Sequence, residues 1–185
     1  MSILKVDQNT ELRLLKPEYT AEIAAAVMDS FDELSPWLPW VDADYSANVT
    51  RKFIQVAQQQ FAEQKGLQAA IFVDNRLAGG IGFNNIDVNN SSAEIGYWLN
   101  TRFVGKGSMT RCCAALIEFG FEEFGLNRIV IRCATENTRS QAIPLRLGFT
   151  EEGVQREAEK LNGKFVDLRV FSLLAAERSG TDHKA

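Results

Sequence analysis

The sequence predicts a mixed α/β domain in which helices flank a mostly antiparallel sheet, and three observations support this class. Three strand-like segments between residues 68 and 99 follow one another across short turns, which is typical of an antiparallel meander. Strand-like and helix-like spacings of apolar residues then alternate from residue 108 to residue 174. The chain has 185 residues, of which 45% are hydrophobic and 24% charged, and this is enough for one sizeable core.

The N-terminal third is predicted to contain one strand and two helices. Residues 12–15 alternate apolar and charged side chains and predict a strand, and the apolar spacing from Ala21 to Met28 predicts a helix. Residues 31–41 hold two of the four prolines and two of the three tryptophans, so we expect a loop or a broken helix there. A second helix is predicted from about residue 48 to residue 63, with Gly66 as its stop signal.

The middle of the chain is predicted to be the antiparallel meander. Its strands cover residues 68–73, 77–83 and 91–99, and Asp74-Asn75-Arg76 suits a tight hairpin turn. The glycine-rich run 79–82 lies inside the second strand and no helix follows it. Close packing or a β-bulge is therefore expected there, not a nucleotide loop.

The C-terminal half begins with the most regular helical pattern of the chain. From Ser108 onward, apolar residues recur at three- and four-residue intervals until Gly125 ends the pattern. A β-branched strand follows over residues 128–134, and a short helix over about residues 139–147. Two strands over about residues 149–159 and 165–174 complete a sheet of about seven strands.

Composition argues against several function classes. The formal net charge of −4 does not favour broad binding to nucleic acid or to an anionic membrane, so a small ligand is expected. Neither a signal peptide nor a membrane span is expected, which predicts a cytoplasmic protein. The three cysteines, Cys112, Cys113 and Cys133, lack metal-site spacing, so we expect inert core thiols and no bound metal.

We expect one domain over residues 1–178, followed by a short tail. Residues 179–185 are polar and contain the single histidine, His183. This tail is predicted to be disordered, and His183 is not expected to be catalytic.

The loop from Arg102 to Gly107 is the most informative motif. Its two glycines precede a long helix, whose first N–H groups and positive dipole end suit a phosphate group. A P-loop would need glycine at position 100 and Ser or Thr at position 107, where Asn100 and Gly107 stand. A dinucleotide fingerprint would need glycine at position 110, which is Thr110. The pattern that remains is R-x-x-G-x-G.

This loop and four other motifs together resemble a known family. The other motifs are Glu94 to Leu99, Asn137 to Ser140, Leu147 to Phe149 and Leu161 to Gly163. The ordered set resembles the GNAT N-acetyltransferases of the RimJ/RimL type, which acetylate the N-terminal amine of ribosomal proteins. The resemblance covers residues 68–174 well and the N-terminal third less specifically. It implies a splayed GNAT sheet, acetyl-CoA as the cosubstrate, and a homodimer.

The resemblance also implies where acetyl-CoA binds. Its pantetheine arm would lie between the strand that ends at Leu99 and the strand that begins near Ile129, bonded to exposed strand backbone. Its pyrophosphate would meet the backbone N–H groups of residues 103–108. The cofactor-binding residues implied in this way are Trp98, Leu99, Asn100, Arg102, Phe103, Val104, Gly105, Lys106, Gly107, Ser108, Met109 and Asn137.

Two catalytic residues follow from the resemblance. Glu159 matches the glutamate proposed as a base that acts through water, and Ser140 matches the hydroxyl proposed to protonate the coenzyme A thiolate. Glu94 is the rival base because it lies near the start of the ligand strand, and Tyr97 is a less favoured rival acid. The candidates for binding the acceptor are Trp37, Trp40 and Glu94. The two tryptophans could line an acceptor pocket or form a dimer contact, and core packing is an equal alternative to both.

Amine chemistry favours an N-terminal acceptor. At pH 7 an α-amine with a pKa of about 7.7–8.0 is neutral in roughly a tenth of molecules or more, whereas a lysine with a pKa near 10.4 is neutral about once in two thousand. Modest help from a base therefore suffices for an N-terminus. We expect an acetyl-CoA-dependent N-acetyltransferase that acts on a protein N-terminus, with a ribosomal protein as the first choice.

Three alternatives remain open from the sequence. A small-molecule amine such as a polyamine, an antibiotic or a small peptide is compatible with the same fold, because the fold does not choose the acceptor. A non-catalytic acyl-CoA-binding module would have lost the acid and the base, yet Ser140 and Glu159 are both present. A toxin that acetylates aminoacyl-tRNA would need a strongly basic face, which the net charge of −4 does not favour.

Overall fold

The structure is a computed structural model that describes residues 3–178, and it has the predicted mixed α/β class. The strands are β1 (Ile3–Lys5), β2 (Thr10–Leu14), β3 (Leu67–Val73), β4 (Arg76–Asp87), β5 (Ser92–Leu99), β6 (Arg128–Ala134), β7 (Thr150–Leu161) and β8 (Lys164–Leu174). The helices are α1 (Thr20–Met28), α2 (Phe31–Leu34), α3 (Ala47–Ala62), α4 (Ser108–Glu123) and α5 (Thr138–Arg146). All seven predicted strands are present, and β1 is an additional one of only three residues. The predicted tail 179–185, with His183, lies outside the described residues.

All eight strands form one sheet that is splayed in its middle. The strand order is β1-β2-β3-β4-β5-β6-β8-β7, and every neighbouring pair is antiparallel except β5 and β6. The parallel pairing of β5 with β6 runs only from Ser92 opposite Arg128 to Glu94 opposite Val130. Residues 95–99 of β5 and 131–134 of β6 are not paired with each other. The predicted splay is confirmed, and it opens a gap between these two strands.

Helices cover both faces of the sheet, which gives two hydrophobic clusters. Residues of α4 and α5 pack on one face, called here the α4–α5 face, together with Phe83, Ile129 and Phe171. Residues of α1 and α3 pack on the other, called the α1–α3 face. Because side chains alternate along a strand, Ile71 of β3 belongs to the first cluster and Phe72 to the second. Among the described residues, no helix is both long and apolar enough to cross a membrane.

Residues 31–41 and the glycine run 79–82 both have simple structures. Of residues 31–41, only α2 is helical, and it makes a single turn. The glycine run lies inside β4, as predicted, and both expected features occur: the β3–β4 pairing shifts register beside Gly79, and the glycines are closely packed. A Cβ at Gly79 would lie 2.2 Å from the carbonyl oxygen of Trp98, and one at Gly80 would lie 2.5 Å from the Trp98 indole nitrogen. Both glycines therefore leave room for β5 and for the indole of Trp98.

The contact between Gly120 of α4 and the buried ring of Phe83 gives a test of the core packing. A Cβ added at Gly120 would lie 2.5 Å from Phe83 Cζ. We expect Gly120→Ala to lower the free energy of unfolding by about 1–3 kcal/mol, although alanine is normally better than glycine in a helix by about 0.5–1 kcal/mol. Urea unfolding of the variant and the parent measures the difference.

A second substitution serves as the control. Phe83→Leu removes the ring atom that the added methyl group would meet, so Gly120→Ala should cost less in that background than in the parent. Unchanged or greater stability of Gly120→Ala alone would contradict this account of the contact.

Candidate active site

The gap between β5 and β6 presents different side chains on its two sides. Along β5, Glu94 and Trp98 point to the α1–α3 face, whereas Tyr97 packs against the cluster on the α4–α5 face. Along β6, Arg132 and Cys133 alternate in the same way, with Cys133 on the α4–α5 face. The strand period of two therefore separates two sets of polar groups at one gap.

The loop that follows β5 is tied to the end of α1. Asn100 is buried, and its side-chain oxygen accepts a hydrogen bond from the backbone N–H of Arg102 at 3.0 Å. Its Nδ2 donates to the Ala26 carbonyl and to Asp29 Oδ2, each at 3.0 Å. Arg102 Nη2 donates to Asp29 Oδ1 at 2.6 Å. These hydrogen bonds lower the pKa of Asp29, and the bond from Asn100 has a larger effect than the bond from Arg102. The side chains of Asn100 and Arg102 thus fix the loop to α1.

The free N–H groups of the loop begin at Gly105, two residues later than predicted. The N–H groups of Phe103 and Val104 donate to the carbonyls of Asn100 and Thr101 and close a turn. The following N–H groups, at residues 105–110, donate no hydrogen bond within the part of the chain that the structure describes. Gly105 and Gly107 have φ of 83° and 72°, which glycine adopts without strain. These free donors at the start of a 16-residue helix suit an anion.

A groove lies beside this loop. It has a volume of about 850 Å³ and runs between α1, the β3–β4 turn and the loop. Arg76, Arg102 and Lys106 line it, and so do the acidic residues Glu22, Asp29 and Asp74. The groove therefore carries both positive and negative side chains, and it lies next to the N–H groups where the loop could bind an anion.

Ser140 lies in a hydroxyl and thiol cluster on the α4–α5 face. Asn137 caps α5, because its Oδ1 accepts a hydrogen bond from the Ser140 N–H at 3.1 Å. Ser140 Oγ donates to the Tyr97 hydroxyl at 3.1 Å, and that hydroxyl donates to the Ser140 carbonyl at 3.0 Å. Cys133 Sγ lies 3.1 Å from Ser140 Oγ. Burial raises the pKa of Tyr97 and of Cys133, so both keep their protons at neutral pH.

Two carboxylates flank an arginine on the α1–α3 face. Arg132 forms an ion pair with Glu94, with Nη2 2.8 Å from Oε2, and its Nε also donates to that oxygen at 3.0 Å. Glu159 is half-buried on β7, and its side chain forms no hydrogen bond within residues 3–178. Burial raises the pKa of Glu159, Arg132 lowers it in part, and Glu94 raises it. The two glutamates proposed from the sequence as alternative bases therefore differ in their surroundings: Glu94 forms an ion pair with Arg132, and Glu159 forms no ion pair within residues 3–178.

A bulge in β7 precedes Glu159. Gln155 pairs with Leu168 and Glu159 pairs with Val166, so residues 156–158 lie opposite the single residue Asp167. Glu157 in this bulge has a φ of 50°, and its N–H donates to Asp167 Oδ1 at 2.8 Å. The β8 residues Val166, Leu168 and Val170 alternate along the strand and so lie on one face of the sheet. Their pairing partners are Glu159, Gln155 and Arg132. The bulge therefore turns Glu159 to the same face as Gln155 and Arg132.

Aromatic side chains border the same face. Trp40 is 40% exposed, and its ring lies 6.3 Å from Trp98 and 5.9 Å from Tyr45 between ring centroids. Trp37 is half-buried. Asn162, in the β7–β8 turn, donates its Nδ2 to the Ser35 carbonyl at 3.1 Å and ties that turn to the segment after α2.

The structure thus brings together most of the residues singled out in the sequence and adds four others. Ser140 contacts Tyr97, and Arg132 forms an ion pair with Glu94 while its charge also lowers the pKa of Glu159 in part. The added residues are Asp29, Arg132, Cys133 and Asp167. For Arg132 a weak signal exists in the sequence, since it is a charged residue within an otherwise apolar run from Ile129 to Ala134. The sequence carries no comparable signal for the other three.

This arrangement is suited to group transfer from a phosphate-containing carrier. An anion site lies at the end of β5, neutral proton donors lie on one side of the gap, and an unpaired carboxylate lies on the other. The carboxylate on one face can accept a proton from a nucleophile, and the proton donors on the other face can protonate a leaving group.

Comparisons with known proteins agree with this chemistry. The family model of the acetyltransferase (GNAT) domain matches residues 9–150. YdaF of Bacillus subtilis (strain 168), a candidate ribosomal N-acetyltransferase by name, is 38% identical over 181 residues, which are 97% of this chain and 99% of YdaF. The structure of RimL, a ribosomal α-N-protein acetyltransferase solved with coenzyme A, is 30% identical and has a TM-score of 0.90, covering 95% of this chain and 99% of RimL.

A third relative is a self-immunity enzyme. MccE, a microcin self-immunity acetyltransferase solved with acetyl-CoA and AMP, is 32% identical with a TM-score of 0.89, covering 94% of this chain and 96% of MccE. The matched domain and these full-length likenesses lead to one conclusion: the chain belongs to the GNAT family of N-acetyltransferases.

Proposed function

We propose that this protein transfers the acetyl group of acetyl-CoA to the N-terminal α-amine of a protein, and that ribosomal proteins are its substrate class. The observation that carries this proposal is the separation of Ser140 and Glu159 on opposite faces of one gap. The names of YdaF and RimL support the choice of acceptor. Such a reaction would take place in the cytoplasm, and a homodimer remains the proposed assembly.

The donor would occupy the gap and the loop. The unpaired backbone at residues 95–99 of β5 offers hydrogen bonds to the amides of the pantetheine arm, as a neighbouring strand would. The free N–H groups from Gly105 to Ser108 would receive the pyrophosphate. Asn137 would contact the arm near the thioester. Asn100 and Arg102 would act indirectly, because their side chains hold the loop in place.

The reaction itself needs one proton removed and one supplied. The neutral amine nitrogen attacks the thioester carbonyl carbon, a C–N bond forms, and the C–S bond breaks. The extra proton on the nitrogen passes to Glu159 through a water molecule. Ser140 gives its hydroxyl proton to the departing thiolate, and water returns a proton to its oxygen while Glu159 releases the proton that it received to solvent. Tyr97 and Cys133 keep the surroundings of Ser140 neutral, since burial raises the pKa of both.

Glu159 is a better base than Glu94 for an electrostatic reason. Oε2 of Glu94 already accepts hydrogen bonds from Nε and Nη2 of Arg132, so this oxygen is engaged in an ion pair. Glu159 lacks such a partner, and burial raises its pKa towards the value that favours proton transfer at neutral pH.

One specific observation favours a second candidate, a small-molecule amine as the acceptor. MccE is as similar to this chain in structure as RimL is, and its name describes self-immunity to microcin C7 and not a ribosomal protein. Acceptor identity is therefore the first thing to measure.

The acceptor experiment follows coenzyme A release with a thiol reagent. We expect turnover with peptides that have a free Ser or Ala N-terminus and none with the same peptides after N-terminal acetylation. Spermidine and an aminoglycoside are the small-molecule controls. Turnover with these alone would replace the proposed acceptor, and tight acetyl-CoA binding without turnover on any amine would favour a non-catalytic module.

Glu159→Gln tests the base. We expect kcat/KM for the peptide to fall by about 100-fold at pH 7, and the loss to shrink at higher pH, where the α-amine deprotonates without help. In the parent, activity should fall with decreasing pH through the raised pKa of Glu159, at a higher pH than for an ordinary glutamate. The variant should lack this pH dependence.

Two measurements control the Glu159→Gln result. Glu157→Gln, on the same strand and exposed, should keep parental activity. The free energy of unfolding of Glu159→Gln at pH 7 should not decrease, because the change removes a partly buried charge. If Glu94→Gln abolishes activity and Glu159→Gln does not, the assignment of the base is wrong.

Ser140→Ala tests the acid. We expect kcat to fall by about 100-fold while the Kd for coenzyme A, measured by calorimetry, stays close to that of the parent. Tyr97→Phe removes the neighbouring hydroxyl and should have the smaller effect. The opposite ranking of these two variants would assign the proton donor to Tyr97.

A further inference from the structure

The bulge in β7 determines which glutamate stands at the gap. Before the bulge, Gln155 pairs with Leu168, and continuing that register would put Glu157 opposite Val166. The bulge inserts two extra residues, so Glu159 takes this position instead. One residue along a strand corresponds to about 3.3 Å, which is larger than the tolerance of a proton transfer. The bulge must therefore be held firmly for Glu159 to act.

The backbone of the bulge is strained at Glu157. Its φ of 50° lies in the left-handed region, which glycine adopts easily and glutamate does not. One hydrogen bond offsets this strain, from the Glu157 N–H to Asp167 Oδ1 at 2.8 Å. Asp167 is the single β8 residue opposite residues 156–158 of the bulge. Its carboxylate is therefore placed to hold the backbone of the bulge.

Asp167 also connects the bulge with the segment that carries Ser140. Its backbone carbonyl accepts a hydrogen bond from the Thr135 N–H at 3.0 Å, just after β6. Asn137, two residues later, caps the helix in which Ser140 lies. Asp167 therefore contacts both β7, which carries Glu159, and the segment between β6 and α5, which leads to Ser140.

We propose that Asp167 is a positioning residue that fixes Glu159 at the gap by holding the β7 bulge. This inference rests on the proposed role of Glu159 as the base. The charged groups that act on Glu159 are Arg132 on β6 and Glu94 on β5, and its partner on β8 is the apolar Val166. None of these holds the backbone of the bulge, which leaves that task to Asp167.

Asp167→Ala and Asp167→Asn form the central pair of variants. We expect Asp167→Ala to lower kcat for the peptide by about 10- to 100-fold, with little change in KM for acetyl-CoA, because only Glu159 is displaced. Asp167→Asn should restore most of the activity, because its side-chain oxygen can accept the same hydrogen bond. Asp87→Ala is the matched control, since Asp87 Oδ1 accepts a similar backbone hydrogen bond from Asn90 in a distant turn.

A double variant separates positioning from an independent effect. If Asp167 acts through Glu159, then Asp167→Ala should cost no further activity in the Glu159→Gln background. Glu157→Gly should partly rescue Asp167→Ala, because glycine adopts the left-handed conformation without the hydrogen bond. This rescue also provides a folded variant if Asp167→Ala alone is unstable.

The outcomes distinguish this inference from the function on which it rests. Parental activity of Glu159→Gln would overturn the proposed base, and with it the reason for a positioning residue. A strong effect of Glu159→Gln together with parental kcat for Asp167→Ala would overturn the inference alone. Effects of the two substitutions that multiply would also overturn it, because Asp167 would then act independently of Glu159.

Discussion

The parallel pairing between β5 and β6 stops at Glu94 and Val130, and the whole site depends on that break. Backbone N–H and C=O groups that lose a strand partner need another partner or water. Beyond the break, β5 stays paired with β4 and β6 stays paired with β8, so the two halves of the sheet remain rigid while the gap between them stays open. A ligand with amide groups can fill that gap as a strand would.

The alternation of side chains along β5 and β6 then assigns the chemistry to the two faces. Tyr97 and Cys133 point to the side where Ser140 lies, and Glu94 and Arg132 point to the side of Glu159. The buried cluster around Ser140 stays neutral, whereas the opposite face carries charge. The hydroxyl proposed to donate a proton and the carboxylate proposed to accept one are therefore kept on opposite faces of the gap, as acid and base catalysis at one centre would require.

The sequence predicted the elements well because their signals are local. The spacing of apolar residues located α4 and the strands of the meander, and the glycines of the loop located the free N–H groups within two residues. The tie of Asn100 and Arg102 to Asp29 was not visible, because Asp29 lies more than seventy residues earlier in the chain. A pattern within a window of residues carries no information about a contact of that kind.

By itself, the sequence determined seven of the eight described strands, the four longer helices, the R-x-x-G-x-G loop and the ordered motifs of the GNAT family, with Ser140 and Glu159 as candidates. Only the tertiary structure decided that Arg132 pairs with Glu94, that Cys133 and Tyr97 surround Ser140, and that Asp167 holds the bulge before Glu159. The physical reason is strand register. Register depends on contacts between distant segments, and a shift of one residue turns every side chain to the other face.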